Sequence, residues 1–220
     1  MDYYYTSVGM VSVSTRMKGK LEGVQSISTS SFLNPFCQAS CKLDGTICKH
    51  CFAHRAIALY RGLGETLENN YKLLTTNLLS KNDARCIRFT SVIARIEAFG
   101  DVANVTQARN YIRIVRANSQ SRFAAWTKNP AIWDEALALE GKPSNLSMVL
   151  SSRMMNTVAE DYQKFGWVDY VFTVYDREWL SKNNGNSWSL INCGAKNCME
   201  CQQCYKRHRG GVRFINMVLR

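Results

Sequence analysis

Eight of the nine cysteines in this 220-residue chain lie in two short stretches near opposite ends of the sequence. The first quartet is Cys37, Cys41, Cys48 and Cys51, and the second quartet is Cys193, Cys198, Cys201 and Cys204. Closely spaced thiols oxidise and cross-link unless something binds them. Two groups of four thiols therefore predict two sites that hold metal ions or iron–sulfur clusters.

The second quartet has gaps of four, two and two residues between its cysteines. Tetrahedral zinc is usually bound by two ligand pairs that stand about a dozen or more residues apart. Consecutive two-residue gaps instead resemble those of bacterial ferredoxins, in which a compact loop wraps several thiolates around one cubane. The spacing favours a [4Fe–4S] cluster over zinc at this quartet.

The first quartet has gaps of three, six and two residues, which suit either a zinc ion or a cluster. Its position, between a predicted strand and a predicted helix, resembles that of the cluster in radical-SAM enzymes. Those enzymes normally use three cysteines, with gaps of three and two residues, and leave one iron open for S-adenosylmethionine. Three ligating cysteines here would allow S-adenosylmethionine to bind, whereas four would close the cluster. The sequence leaves both alternatives open.

Apolar periodicity predicts alternating strands and helices along most of the chain. The first thirty residues alternate only loosely. The predicted strands cover residues 24–29, 94–99, 122–127, 146–150, 170–175 and 211–219, and helices are expected from residue 52 and over 65–79, 105–118 and 131–139. The alternation predicts a parallel α/β sheet with crossover helices. Cys86, outside both quartets, is expected to be a buried small apolar residue.

Polar side chains follow most of the predicted strands, where the active face of a parallel α/β barrel forms. They are Ser30, Ser31, Asp101, Lys128, Ser151, Ser152 and Asp176. We assign Asp101 and Lys128 as candidate catalytic residues, and Asp101, Ser151 and Asp176 as candidate cofactor-binding residues. The alternatives are that Asp101 caps the following helix and that Lys128 is simply solvated.

The composition describes an ordinary globular protein, with 46% apolar and 20% charged residues. The N-terminal residues carry an early acid and no long apolar run, so we expect a cytoplasmic protein whose reduced thiols bind metal rather than form disulfides. No stretch approaches the roughly 20 apolar residues of a membrane span.

The formal net charge is +11, and two four-thiolate clusters would lower it to roughly +7. Six of the basic residues surround or follow the second quartet: Lys196, Lys206, Arg207, Arg209, Arg213 and Arg220. These cations either offset the charge of a cluster or form a patch that binds nucleic acid.

Five segments, taken in order, resemble the phage "gene product 88" family, which has a radical-SAM-like architecture. They are CKHCFA at 48–53, RIEAFGD at 95–101, WTK at 126–128, SS at 151–152 and CMECQQCY at 198–205. The resemblance covers roughly residues 25 to 215. It implies a partial (β/α) barrel, iron–sulfur ligation at both quartets and a site at the strand ends. Phe52, where a tyrosine is common, and the spacing of the first quartet depart from the pattern.

We therefore expect a partial (β/α) barrel of radical-SAM-like type over residues 1–190, followed by a cysteine-rich cluster-binding segment over 191–220. The expected function is an iron–sulfur protein with two [4Fe–4S] clusters, and the sequence leaves open whether it is also a radical-SAM-like or redox enzyme that uses an electron donor. The alternative is a basic nucleic-acid-binding protein whose iron–sulfur or zinc sites are structural.

Overall fold

A computed structural model describes residues 1–60, 62–183, 187–206 and 211–219. The strands in these ranges are β1 (Asp2–Thr6), β2 (Gly9–Val13), β3 (Gln25–Ile27), β4 (Ile93–Ile96), β5 (Arg122–Thr127), β6 (Leu146–Ser151), β7 (Tyr170–Tyr175) and β8 (Arg213–Val218). The α-helices are α1 (Pro35–Lys42), α2 (Phe52–Leu59), α3 (Leu63–Thr76), α4 (Lys81–Cys86), α5 (Val105–Ala117), α6 (Pro130–Glu140), α7 (Arg177–Lys182) and α8 (Cys198–Cys201).

Strands β3 to β8 form one parallel sheet whose spatial order follows the order of the sequence. Helices connect most successive strands, as parallel pairing requires. The predicted parallel sheet with crossover helices is therefore confirmed. Because all six strands run the same way, the polar residues that follow them lie along one edge of the sheet.

The two faces of this sheet pack against different parts of the chain. Ala94 and Ile96 of β4 belong to the same apolar cluster as Tyr111 of α5. Ile93, on the opposite face, belongs to a cluster that includes Trp126 of β5 and takes in cysteines of both quartets. Helices α5 and α6 thus cover one face, whereas segments that carry cysteines cover the other.

Strand β4 ends three residues earlier than the sequence predicts, at Ile96 rather than residue 99. Glu97 has a φ of +54°, in the left-handed region, so the extended conformation cannot continue through it. As a result the Glu97 side chain contacts Tyr111 on the same side of the sheet as Ile96. The alternation of a strand would have placed it on the opposite face.

The N-terminal residues, which alternate only loosely in sequence, form an antiparallel hairpin of β1 and β2. Asp83 fixes its turn, because its carboxylate accepts hydrogen bonds from the Ser7 backbone N–H (2.7 Å) and hydroxyl (2.9 Å). The same carboxylate completes a capping box with Ser80. That box begins α4, which the periodicity does not predict, whereas the helix predicted over residues 65–79 corresponds to α3 and ends at Thr76.

Cys86 is exposed, so the prediction of a buried side chain is wrong. The residue lies at the solvated end of α4. Among the residues that the structure describes, no helix has the length and apolar character needed to cross a membrane.

Candidate metal centres at the two cysteine quartets

The first quartet begins on α1, whose start is fixed by Asn34. The Asn34 side chain accepts a hydrogen bond from the Phe36 N–H at 2.9 Å and a longer one from the Cys37 N–H at 3.5 Å. The side-chain amide of Asn34 also donates to the backbone oxygen of Asp101 at 2.6 Å. One buried asparagine therefore begins the helix that carries Cys37 and also ties the start of this helix to the chain that follows β4.

The loop that carries the rest of this quartet is held by the end of β6. The Ile47 N–H donates to the Arg153 oxygen at 3.0 Å, and Thr46 forms an isolated antiparallel bridge with Met154. The Cys41 thiol, near the end of α1, donates to the Cys48 backbone oxygen in this loop at 3.2 Å. The segment that follows Ser151 and Ser152 thus positions the cysteine loop through its backbone.

Three thiols of the first quartet, those of Cys37, Cys41 and Cys48, have pKa values that burial raises, which favours their protonated form. Burial raises the pKa of Cys37 well above its usual value, and the carboxylates of Asp101 and Glu97 raise it further. Burial, followed by the nearby Cys51 and Cys48, raises the pKa of Cys41 to about 11. A bound cation is what would convert such thiols into thiolate ligands.

Asp101 and Lys128, predicted as catalytic residues, lie together beside this quartet. The Asp101 carboxylate accepts hydrogen bonds from the Lys128 N–H (2.6 Å), the Thr127 hydroxyl (2.8 Å) and the Val102 N–H (2.8 Å). Burial raises its pKa, and the Lys128 charge and these donors lower it in part. The residue that caps α5 is Asn104, not Asp101, so the capping alternative for Asp101 is wrong.

The ammonium of Lys128 makes no hydrogen bond or ion pair with the residues that the structure describes. Its positive charge lowers the pKa of Cys37, Cys41 and Cys48, so Lys128 lies near these three thiols. A cation beside thiols and a buried carboxylate suits the recognition of an anionic group.

The two other predicted cofactor-binding residues have different surroundings. Ser151 is buried at the end of β6, two residues before the Arg153 oxygen that holds the cysteine loop. Asp176 caps α7, where its carboxylate accepts from the Trp179 N–H and the Asn156 side-chain amide, each at 2.6 Å. The Asn156 hydrogen bond and then the Trp179 N–H lower its pKa. Its described contacts are those of a helix cap, and a role in cofactor binding stays a prediction.

A buried carboxylate that the sequence analysis does not assign lies near the same edge. Glu97 accepts hydrogen bonds from the Thr29 hydroxyl (2.8 Å), the Gln107 side-chain amide (2.7 Å) and the Tyr111 hydroxyl. Burial raises its pKa to about 7, although the Tyr111 and Thr29 donors act against the shift. Only the left-handed backbone at Glu97 brings these groups together, and no sequence pattern signals it.

The second quartet lies against the opposite face of the sheet from α5. Cys193 is fixed by its N–H, which donates to the Asn216 oxygen of β8 at 3.0 Å, and by Lys20. The Lys20 ammonium is 2.8 Å from the Cys193 backbone oxygen and 3.3 Å from its sulfur. Asn197 caps α8, which carries Cys198 and Cys201.

Arg95 faces the second quartet from β4. Its guanidinium carbon lies over the Trp126 ring, and its Nε is buried without a hydrogen-bond partner among the described residues. Burial lowers the pKa of Arg95, whereas Tyr205 and then Cys198, Cys204 and Cys193 act to raise it. Burial and the neighbouring Cys193 raise the pKa of Cys204 to about 12, and Arg95 opposes that rise.

All nine cysteines are free thiols. Across residues 1–60, 62–183, 187–206 and 211–219, no group of three or more His, Cys, Asp or Glu side chains is arranged to hold a metal ion. Cys51 and Cys48 nevertheless raise the pKa of Cys41, and Cys193, Cys198 and Cys201 raise that of Cys204, so these thiols lie near each other without forming a closed ligand set. The donor chemistry fits a thiolate-bound centre, because each set offers four sulfurs and a nearby cation, Lys128 or Arg95.

The predicted basic patch at the C-terminus is only partly described. The described part contains Lys196, Lys206 and Arg213, and all three side chains are exposed. Arg207, Arg209 and Arg220 lie outside the described residues.

A family model described as "Gene product 88" matches residues 13–215 of this chain. The matched range spans both quartets, strands β3 to β7 and the first half of β8. Neither the curated proteins nor the solved structures gave a match.

Proposed function

The chain belongs to the gene product 88 family, and we propose that it is an iron–sulfur protein that binds two [4Fe–4S] clusters, one at each quartet. The observation that carries the proposal is the position of Arg95 against the second quartet. Arg95 is half-buried, and a cation that is partly withdrawn from water is costly unless a negative charge faces it. Within the described residues no carboxylate forms an ion pair with Arg95, and its titratable neighbours are Tyr205 and cysteines.

Thiolates around a cluster would supply the missing negative charge. A cubane held by four thiolates carries a net charge of about −2. Arg95 and Lys20 together supply two positive charges at this site, from β4 and from the segment before β3. Neutral thiols would leave Arg95 unpaired, so the surroundings favour a ligated state of the second quartet.

We propose the first quartet as the reactive centre, on a partial (β/α) barrel of radical-SAM-like type. The order of β3 to β8 supports this architecture, because barrel strands also follow one another in sequence order. The electrostatic neighbours of Cys41 include Cys48 and Cys51, whereas those of Cys37 are Asp101, Glu97 and Lys128. This difference supports ligation by three cysteines, with Cys37 held apart beside the two carboxylates.

A cluster held by three thiols keeps one iron open, the arrangement through which radical-SAM enzymes bind S-adenosylmethionine. The residues beside it are suited to the charged groups of such a ligand. The Asp101 carboxylate would pair with an ammonium group, and the Lys128 ammonium would pair with a carboxylate.

Iron and sulfide analysis of anaerobically prepared protein tests the assignment. The wild type is expected to contain about eight irons and eight sulfides per chain, with broad thiolate-to-iron absorption. Cys201→Ser and Cys48→Ser should each lose the iron of one cluster. Cys86→Ser is the matched control, since it removes an exposed cysteine outside both quartets and should leave the iron content unchanged. A colourless wild type that contains zinc or no metal would exclude the proposal.

Cys37→Ser tests how many cysteines hold the first cluster. Ligation by three predicts that this variant keeps its iron and that S-adenosylmethionine still alters the spectrum. Loss of one cluster's iron in Cys37→Ser, with no spectral response of the wild type, would indicate a closed four-thiolate site instead.

A further inference from the structure

A dense group of cations lies on the helix-covered side of the sheet, away from the second quartet. Arg109, Arg113 and Arg116 of α5 are four and three residues apart, so they lie on one face of the helix. All three reach Glu140 of α6: the N···O distances are 3.0 Å for Arg109, 2.7 Å for Arg113 and 3.8 Å for Arg116. One carboxylate neutralises one guanidinium, so this group keeps an excess of two positive charges.

Helix α4 adds two more cations to the same place. Lys81 and Arg85 are four residues apart and exposed, and neither makes a hydrogen bond or an ion pair with the residues that the structure describes. Together with Arg113 and Arg116 they line a cavity of about 150 Å³. Asp83, the acid of this helix, forms no ion pair with either cation, because its buried carboxylate accepts hydrogen bonds from Ser7 and Ser80.

The backbone keeps these cations close together despite their repulsion. Arg113 is anchored by its donation to the Leu79 oxygen at 2.6 Å, at the junction before α4. Arg116 is anchored by its donation to the Gly141 oxygen at 3.0 Å, after α6. Like charges held well within a Debye length raise the local potential and attract anions.

From this cluster we infer that the cleft between α4 and α5 binds the phosphate groups of a nucleic-acid backbone. Arginine presents a planar set of donors that matches phosphate, and lysine adds a point charge. Lys81 and Arg85 of α4 and Arg113 and Arg116 of α5 line the cleft from two helices, a spread of cations that exceeds one phosphate group and suits successive phosphates of a strand. The site is independent of the two quartets and differs from the C-terminal basic patch.

The test measures binding of the full-length, anaerobically prepared protein to a labelled single-stranded oligonucleotide, by fluorescence anisotropy over a range of salt concentrations. In Lys81→Ala/Arg85→Ala we expect affinity at about 0.1 M salt to fall on the order of tenfold. The slope of log K against log salt should flatten by roughly 1.4, since two phosphate contacts are lost. Both side chains are exposed and unpaired among the described residues, so the variant should fold normally.

Lys164→Ala/Arg177→Ala is the matched control, because it removes one lysine and one arginine from positions outside the cleft. It should bind as the wild type does. The inference is overturned if the wild type binds no oligonucleotide, or if the cleft variant binds with unchanged affinity and salt slope. Loss of binding in Lys206→Ala/Arg213→Ala but not in the cleft variant would overturn it too, by placing the site at the C-terminus.

Discussion

The guanidinium carbon of Arg95 lies 3.7 Å from the centre of the Trp126 ring. Arg95 and Trp126 belong to neighbouring strands, β4 and β5. The Tyr205 ring packs edge-on against the same Trp126 ring, and the two ring centres are 6.1 Å apart. The stack holds a cation on the face of the sheet that the second quartet covers. It thereby links the sheet to the C-terminal cysteines through charge as well as apolar packing.

Replacing Arg95 tests this link. Arg95→Met removes the positive charge while keeping an apolar chain of similar length, so the proposed cluster at the second quartet would lose its main counter-charge. We expect roughly half of the iron to be lost on gel filtration, which corresponds to one cluster of two. Arg95→Lys keeps the charge and should retain more iron than Arg95→Met. Equal iron in the wild type and Arg95→Met would contradict the pairing.

Asp101→Asn tests the junction between β4 and β5. The amide keeps one acceptor oxygen but places an NH₂ group against one of the donors, the Lys128 N–H or the Thr127 hydroxyl. We expect a loss of about 1–3 kcal/mol in the free energy of unfolding, measured with denaturant. The variant should also lose the spectral response to S-adenosylmethionine. Asp161→Asn, an acid outside this junction, is the control and should change neither quantity.

Glu97 predicts a pH dependence of stability. Its pKa is raised from 4.5 to about 7 by burial, so the folded state keeps a proton that the unfolded chain releases. The stability that this proton contributes is present below about pH 4.5 and is lost as the pH rises to about 7, by on the order of 3 kcal/mol. Glu97→Gln should remove this slope between about pH 5 and 7. A variant whose stability falls with pH as steeply as that of the wild type would refute the assignment.

Asp83 predicts the opposite dependence in a lower pH window. Burial raises its pKa, but hydrogen bonds from Ser80 and Ser7 outweigh burial and lower it from 3.8 to about 2. The stability that the carboxylate contributes is present above pH 3.8 and is lost as the pH falls towards about 2. Asp83→Asn should cost on the order of 1–2 kcal/mol at neutral pH.

Hydrogen exchange locates the effect of Asp83→Asn. Because Asp83 holds the turn between β1 and β2, amides of this hairpin should exchange faster in the variant. Asp44→Asn, which alters a fully exposed acid, should leave both stability and exchange unchanged. Unchanged protection of the hairpin in Asp83→Asn would mean that other contacts hold it.

Much of the framework is predictable from local patterns. Strands β5 and β7 begin and end at the predicted residues, because each is a short apolar run closed by a polar turn. The order of these elements predicts the parallel sheet, and the parallel sheet in turn places Asp101 and Lys128 at the same edge. The family resemblance, carried by five short segments, is confirmed by the match over residues 13–215.

Several boundaries and environments depend on contacts between distant residues. The early end of β4 follows from the backbone of Glu97, and the start of α4 follows from a capping box that Ser80 forms with Asp83. The hairpin of β1 and β2 is fixed by Asp83, which is 76 residues away from Ser7. Side chains so far apart in sequence leave no periodic signal.

By itself the sequence determined which atoms are available: eight thiols in two quartets, a basic chain, and polar residues after apolar runs. Only the tertiary structure decided which charges face those thiols and where the cations concentrate. Arg95 faces the second quartet because it alternates with Ala94 and Ile96 on β4, and the arginines of α5 meet Lys81 because two helices pack together. The physical reason is that side-chain types are local properties, whereas electrostatic environments are sums over residues that only folding brings near one another.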